Sequence, residues 1–218
     1  LKAPVCAPPA PHSCPAERGM GLGNSRRREA SAGPSGSHLP QSRAEEYEAM
    51  CQGYDRQTGA PQITAEELQA WICDPEQPVV IFDIRGRNEH AVSTLPGARL
   101  LPPTSAGMAK AMSGIGYLTF DADVPKADSI PPEAKVVCHC TAGLRSGFAA
   151  VALKQEWKKE GVERKVFNLH GGIVSWVNAG AEVVDPTSGE PRSEVHTYGA
   201  KWQPYVQERP GMRAVTAQ

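Results

Sequence analysis

The stretch Lys135-Val-Val-Cys-His-Cys140-Thr-Ala-Gly-Leu-Arg145-Ser-Gly147 carries the pattern on which the fold depends. It begins with a short apolar run, passes through a loop containing glycine, and continues into a segment where Leu144, Phe148 and Val151 share one helical face. A short apolar run followed by a loop and a helix is typical of a buried strand in a parallel sheet. The stretch therefore places Cys140 at the carboxyl end of a strand, beside the first turn of a helix.

Strands and helices alternate on both sides of this stretch. The capping box at Thr64-Ala-Glu-Glu67 predicts the start of a further helix, and Pro75 and Pro78 end it. This alternation predicts a single α/β domain with a mostly parallel central sheet and helices on both faces. Strands are expected at 79–82, 98–101, 135–139 and 165–169, and helices at 45–53, after Thr64, and at 105–112, 144–161 and 173–178.

Composition divides the chain of 218 residues into five segments. Residues 1–42 combine Pro, Ser, Gly, Ala and Arg with few acidic or aromatic residues, which predicts a disordered leader. Residues 43–61 are a helical lead-in, 62–181 the α/β domain, 182–208 an extension that docks on the domain through Tyr198, Trp202 and Tyr205, and 209–218 a flexible tail.

The net charge of −1 and the sequence pI of 6.7 give no reason to expect binding to nucleic acid or to an anionic membrane. No run approaches the roughly 18 consecutive apolar residues that a membrane-spanning helix needs. The six cysteines show no paired metal-binding spacing and favour a reducing compartment. We therefore expect a soluble, cytoplasmic protein without a metal site.

The leader adds two alternatives for its location. Met20-Gly-Leu-Gly-Asn-Ser25 fits the N-myristoylation pattern, so Gly21 would carry a lipid anchor if translation starts at Met20. The Arg- and Ser-rich composition also fits an organelle-targeting peptide. The sequence leaves the translation start, the compartment and the oligomeric state open.

The chemistry expected around Cys140 follows from its position. Ligands in α/β folds bind at the carboxyl ends of the strands. Backbone N–H groups of the loop, the positive end of the helix dipole and the charge of Arg145 all favour a thiolate, which makes Cys140 the candidate nucleophile. The candidate binding residues are the rest of the loop, namely Thr141, Ala142, Gly143, Leu144 and Arg145.

Four stretches, in this order along 62–181, resemble the motifs of the rhodanese family. The loop Cys140 to Ser146 resembles the family's Cys-x-x-Gly-x-Arg-Ser. The other three are Asp83-Ile-Arg85 followed by Glu89, Leu95-Pro-Gly-Ala98, and Leu169-His-Gly-Gly-Ile173 followed by Trp176. The chain is therefore identified as similar to a single-domain sulfurtransferase.

The resemblance implies a carrier of sulfane sulfur. The Cys140 thiolate would take sulfur from a small donor such as thiosulfate, hold it as a persulfide, and pass it to cyanide or a thiol, an exchange that suits an exposed nucleophile. No metal or organic cofactor is required. The chain departs from the family pattern at Ser93-Thr-Leu95, where Gly-His-Ile is usual, and Thr141 and Ala142 leave the donor open.

Two other functions compete with sulfur transfer. The loop also resembles the phosphate loop of tyrosine phosphatases, but only four residues separate Cys140 from Arg145 where phosphatases have five. A non-catalytic rhodanese-like module that binds a protein partner is the second alternative. Cys138 is interpreted as a packing residue on the side of the strand that Cys140 shares, and His139 as a strand-end residue without an acidic partner.

Overall fold

The computed structural model describes residues 41–207 and 211–216. Residues 1–40 of the predicted leader, with the Gly21 anchor, and residues 209, 210, 217 and 218 of the predicted tail lie outside these residues. The domain boundaries named above stay predictions.

Helices and strands alternate through most of the described chain. The helices are α1 (Gln41–Thr58), α2 (Ala65–Cys73), α3 (Arg87–Val92), α4 (Ser105–Met112), α5 (Leu144–Lys159) and α6 (Gly172–Asn178). The strands are β1 (Gln62–Ile63), β2 (Val79–Asp83), β3 (Arg99–Leu100), β4 (Lys135–His139), β5 (Val166–Leu169), β6 (Val183–Val184), β7 (Pro191–Arg192), β8 (Glu194–His196) and β9 (Arg213–Val215). Two 3₁₀ helices lie at Ala127–Ser129 and Ala200–Tyr205.

The first five strands form one sheet in the order β1-β5-β4-β2-β3. All of its strand pairs are parallel, and β4 is the central strand. Strands β6 and β7 form a separate antiparallel pair, and β8 pairs with β9 in parallel. The predicted parallel α/β architecture is confirmed.

Side chains alternate between two apolar clusters on opposite faces of the sheet, as the pleat of a strand requires. Ile81 and Val137 face one cluster, which includes residues of α1, α2 and α6. Phe82 and Val136 face the other, which includes residues of α4 and α5. Helices therefore cover both faces, as predicted.

The principal predicted elements are present, with changes at their ends. Thr64 caps α2, and its hydroxyl accepts from the N–H of Glu67 while the Glu67 carboxylate accepts from the N–H of Thr64. The predicted helix at 45–53 is longer and runs over Gln41–Thr58. Strand β1 and helix α3 were not predicted, because two and six residues are too short to show a periodic pattern.

Two of the three aromatic residues predicted to dock the C-terminal extension pack against α1, and the third is exposed. Trp202 is buried, and its ring lies 6.3 Å from the ring of Tyr54 on α1. Tyr205 lies 5.2 Å from the ring of Tyr47. Tyr198 is 62% exposed, so the prediction that it docks on the core is wrong.

Two further expectations are tested by the described residues. Cys51, Cys138 and Cys140 have free thiols. Among residues 41–207 and 211–216, no helix combines the length and the apolar character that crossing a membrane demands.

Candidate active site

The site lies at the carboxyl edge of the sheet, where the central strand β4 ends. His139 is the last residue of β4, and Cys140 follows it directly. The neighbouring strand β2 ends at Asp83, and β5 ends at Leu169, one residue before His170. Parallel strands therefore bring these three chain segments together, at the edge where α/β folds bind ligands.

The Cys140 sulfur is held inside its loop. Within the described residues, Sγ accepts a hydrogen bond of 3.2 Å from the N–H of Gly143 and one of 3.3 Å from the hydroxyl of Ser146. Gly143 caps α5, so the positive end of the helix dipole lies beside the sulfur. The residue is only 1% exposed, so the expectation of an exposed nucleophile is wrong.

The loop is fixed by bonds from both sides. Gly143 has a φ of 95°, a left-handed conformation that glycine adopts without a Cβ clash. Its carbonyl accepts a hydrogen bond of 3.1 Å from the side-chain amide of Asn168. The N–H groups of Ile173 and Val174 at the start of α6 donate to the carbonyls of Cys140 and Thr141. These hydrogen bonds fix the Cys140 loop in position against β5 and the start of α6.

Arg145 is paired with Glu89 rather than left free beside the sulfur. Its Nη1 and Nη2 each donate a hydrogen bond of 2.7 Å to a carboxylate oxygen of Glu89. Nη2 also donates a hydrogen bond of 3.0 Å to Oγ1 of Thr141. Burial alone would raise the pKa of Glu89, but the hydrogen bonds and charge of Arg145 outweigh burial, and the pKa is lowered. Arg145 therefore positions the loop through Thr141, and its charge is largely neutralised.

The remaining candidate residues have packing positions. Ala142 is buried and joins the cluster on the α1 and α6 face, while Leu144 is half-buried and begins α5. The ring of Tyr198 lies over the guanidinium of Arg145, and the distance from the ring centroid to Cζ of Arg145 is 4.7 Å. Tyr198 holds this position with a φ of 65°, an uncommon value for a residue with a side chain.

Replacing Glu89 tests how much this pairing stabilises the fold. Glu89→Gln leaves the Arg145 guanidinium without its counter-ion and is expected to lower the free energy of unfolding by about 1–3 kcal/mol near neutral pH. The native pKa of Glu89 is lowered, so its contribution is complete above the ordinary glutamate pKa and is lost as pH falls below that value. Urea denaturation at neutral and acidic pH measures both effects.

The matched control is the exposed pair of Arg87 and Asp121, whose charged groups are 3.7 Å apart and more than half exposed. Asp121→Asn should change stability little, because solvent screens exposed pairs. If both variants unfold at the same urea concentration, the Glu89–Arg145 pair does not stabilise the loop.

A second ion pair is completely buried beneath the site. The guanidinium of Arg85 donates to Asp83 from Nε at 2.9 Å and from Nη2 at 2.7 Å, and both side chains are 0% exposed. The same guanidinium donates to the carbonyls of Ser93 and His196, and Thr94 Oγ1 donates 2.8 Å to Asp83. The pair therefore connects β2 to the chain before β3 and to β8.

His139 lies beside this pair. Its Nε2 is 3.6 Å from an oxygen of Asp83, so an acidic neighbour exists that the sequence did not reveal. Burial lowers the pKa of His139 to about 4, even though Asp83 acts in the opposite direction. The imidazole is therefore neutral near neutral pH and cannot lend a positive charge to the sulfur.

Cys138 is buried on β4 and belongs to the same cluster as Cys140, which agrees with the predicted alternation of side chains. Burial raises the pKa of its thiol far above the usual value. Cys138 is therefore a protonated packing residue near neutral pH.

Three residues around the sulfur were not predicted as site residues. Ser146 and Glu89 both occur in the motifs quoted above, so the signal was present although their contacts were not foreseen. Asn168 carried no sequence signal, because only the pairing of β5 with β4 brings it to Gly143. No cluster of three or more His, Cys, Asp or Glu side chains suited to a metal ion is found in the described part of the chain.

Comparisons with known proteins agree with this architecture. The family model described as "Rhodanese-like domain" matches residues 64–179. A sulfurtransferase from Allochromatium vinosum is 30% identical over 125 residues, which cover 57% of this chain and 95% of that protein. A tRNA uridine(34) hydroxylase from Xylella fastidiosa is 27% identical over 124 residues, covering 55% of this chain and 42% of that protein.

Among solved structures, a thiosulfate sulfurtransferase from Pseudomonas aeruginosa aligns with 75% of this chain and 26% of its own, at 17% identity and a TM-score of 0.43. The family model covers more than half of the chain and includes the Cys140 loop, β2 and the start of α6. The chain belongs to the rhodanese-like domain family.

Proposed function

We propose that this protein is a sulfurtransferase that carries sulfane sulfur on Cys140 as a persulfide. The observation that carries the proposal is the pair of donors on Cys140 Sγ, the Gly143 N–H and the Ser146 hydroxyl, at the start of α5. Donors and a helix dipole directed at one atom stabilise an anionic sulfur. The sulfurtransferase from Allochromatium vinosum, aligned over almost its whole length, supports the same chemistry.

The proposed reaction has two displacement steps. The Cys140 thiolate attacks the outer sulfur of a donor such as thiosulfate, the sulfur–sulfur bond of the donor breaks, and sulfite leaves with the electron pair. Cyanide or an acceptor thiolate then attacks the outer sulfur of the Cys140 persulfide, and the thiolate of Cys140 is restored. Gly143 and Ser146 can donate to the sulfur at both stages, so no proton has to be supplied by His139.

The binding roles proposed for the loop follow from its contacts. Gly143 supplies an N–H to sulfur, Thr141 and Arg145 fix the loop through Glu89, and Leu144 begins the helix whose dipole faces the sulfur. Ala142 anchors the loop in the buried apolar cluster that contains residues of α1 and α6.

A sulfur-loading experiment tests the function. Incubation with thiosulfate should add the mass of one sulfur atom to the intact protein, and a thiol-reducing agent should remove it. Subsequent addition of cyanide should release thiocyanate. The same preparation should not hydrolyse an aryl phosphate, because the four-residue loop provides too small a cradle for a phosphoryl group.

Each alternative has its own outcome. Faster hydrolysis of aryl phosphate than transfer of sulfur would favour the phosphatase. A folded protein that acquires no sulfur from thiosulfate or from other sulfane donors would favour the non-catalytic binding module.

A further inference from the structure

Helix α1 presents one continuous face to the site. Tyr47, Cys51, Tyr54 and Thr58 follow one another at intervals of four, three and four residues, the spacing of a single helical face. Tyr47 and Cys51 are buried, at 5% and 0% exposure. The helix therefore lies against the domain along this whole face.

The two ends of this face contact the chain on either side of the Cys140 loop. Near one end, the Tyr47 hydroxyl donates 2.6 Å to the carbonyl of Gly171, which caps α6. At the other end, Thr58 packs on Gly147 in the first turn of α5, so closely that a Cβ on Gly147 would lie 2.7 Å from the Thr58 Cβ. The helix thus passes across the edge where α5 and α6 begin, which is the edge that holds Cys140.

Gly171 connects this helix to the loop that holds the sulfur. A Cβ added at Gly171 would lie 3.3 Å from Cε1 of Tyr47, and one added at Gly143 would lie 3.5 Å from the nitrogen of Gly171. The Tyr47 ring therefore packs on the residue that also contacts Gly143, the donor to the Cys140 sulfur. Cys140 itself is 1% exposed, so a donor or acceptor reaches the sulfur only if a neighbouring segment moves.

A charged contact holds α1 at its outer side. Nδ1 of His170 is 2.6 Å from Oδ2 of Asp55, and Nε2 is 2.9 Å from Oε2 of Glu48. The two carboxylates are seven residues apart on α1, so the imidazole bridges two turns of the helix. A doubly protonated imidazole donates to both carboxylates at once, whereas a neutral one donates to only one of them.

We propose that α1 is a lid over Cys140, and that the contacts of His170 with Glu48 and Asp55 form the latch that keeps it closed. Reaction at Cys140 then requires a local opening in which α1 leaves the mouth of the site. The lid does not depend on which group Cys140 transfers, because it concerns access to the thiol.

The latch depends on pH in a defined direction. Burial by itself lowers the pKa of His170, but hydrogen bonds and charges from Glu48 and Asp55 outweigh burial, and the pKa is raised. A raised pKa in the closed state means that the latch contributes fully below the ordinary histidine pKa and is lost as pH rises through the raised value. Opening should therefore become more frequent on the alkaline side of neutrality.

The test measures alkylation of Cys140 by iodoacetamide in the folded, full chain, mapped to the Cys140 peptide by mass spectrometry. His170→Gln should react about tenfold faster than the wild type near pH 6, because a charge-assisted contact is lost. The ratio of the two rates should fall as the pH is raised, because His170 in the wild type loses the proton that lets it donate to both carboxylates. Using this ratio removes the common effect of pH on the reactivity of the Cys140 thiol.

Variants on α1 separate the latch from general loosening. Asp55→Asn should accelerate alkylation more than Glu48→Gln, because the Asp55 side chain is 19% exposed and that of Glu48 is 52% exposed. Tyr47→Phe loses its bond to Gly171 and should accelerate alkylation without changing the pH dependence. Glu66→Gln, at an exposed carboxylate on α2, is the control and should react at the wild-type rate.

Two results would overturn the proposal. If Cys140 in the folded wild type reacts as fast as in the urea-unfolded chain, α1 is not a lid. If the ratio of His170→Gln to wild type stays constant between about pH 6 and pH 9, the titration of His170 does not control the latch. Glu48→Gln changes a half-exposed side chain, so it provides the same comparison if His170→Gln does not fold.

Discussion

Cys140→Ser is expected to abolish the uptake of sulfur from thiosulfate, whereas Cys138→Ser is expected to retain most of it. A serine hydroxyl stays protonated near neutral pH and cannot carry sulfane sulfur. Cys138 receives no such role, because it lies within the buried strand β4 and its thiol is kept protonated by burial. The measurement is the mass gained by each variant after incubation with thiosulfate, mapped to a peptide.

The two variants also control for each other, because both replace a buried thiol by a hydroxyl. Cys138→Ser places an extra polar group in the apolar cluster and should destabilise the protein by about 1–3 kcal/mol. Its thermal unfolding should therefore change even though its sulfur uptake does not. Added sulfur that maps to Cys138, or that persists in Cys140→Ser, would show that the proposed nucleophile is the wrong residue.

Arg85→Leu is expected to destabilise the fold more than any other change to an ion pair discussed above. It leaves the Asp83 carboxylate buried without its counter-ion and removes the donors to the carbonyls of Ser93 and His196. Breaking a buried pair in this way costs about 3–5 kcal/mol, a large part of the stability of an ordinary domain. Urea denaturation at neutral pH should show the loss as a lower midpoint.

Acid titration gives a second measure of the same pair. Burial would raise the pKa of Asp83, but the charge of Arg85 outweighs burial and the pKa lies well below its ordinary range. A lowered native pKa means that the stabilisation is present above the ordinary aspartate pKa and is lost as pH falls below it. The stability of the wild type should therefore decline in acid more steeply than that of Asp83→Asn.

Two substitutions serve as controls for Arg85→Leu. Arg85→Lys keeps the charge but not the planar fork, so its effect should fall between wild type and Arg85→Leu. Arg192→Leu makes the same replacement in the pair of Arg192 with Asp185, where the arginine side chain is half exposed, and should change stability little. Equal effects of Arg85→Leu and Arg192→Leu would contradict a dominant role for the buried pair.

Local sequence pattern was sufficient for the sheet and for the position of Cys140. Apolar runs identified β2, β4 and β5 closely, and the Thr64 capping box marked the start of α2. These elements were predictable because hydrophobic periodicity and capping are properties of neighbouring residues. The four motifs then identified the family, which the family model confirms over 64–179.

Contacts between distant segments were beyond this kind of reasoning. The sequence placed a positive charge at Arg145, but only the folded chain brings Glu89 to it across 56 residues. His170 appeared in the sequence only as part of the Leu169–Ile173 motif, whereas the fold places it between Glu48 and Asp55 on α1. The sequence around Glu48 and Asp55 does not predict that either carboxylate contacts His170.

The sequence by itself determined the strand–loop–helix unit that points a thiol at the start of a helix, because that unit is built from consecutive residues. Tertiary structure alone decided that the thiol is buried, that Arg145 is neutralised by Glu89, and that Tyr198 stands exposed over Arg145. The physical reason is that access and charge at a site depend on the sum of neighbours in space. Those neighbours belong to helices and loops whose local sequence patterns do not predict their tertiary contacts.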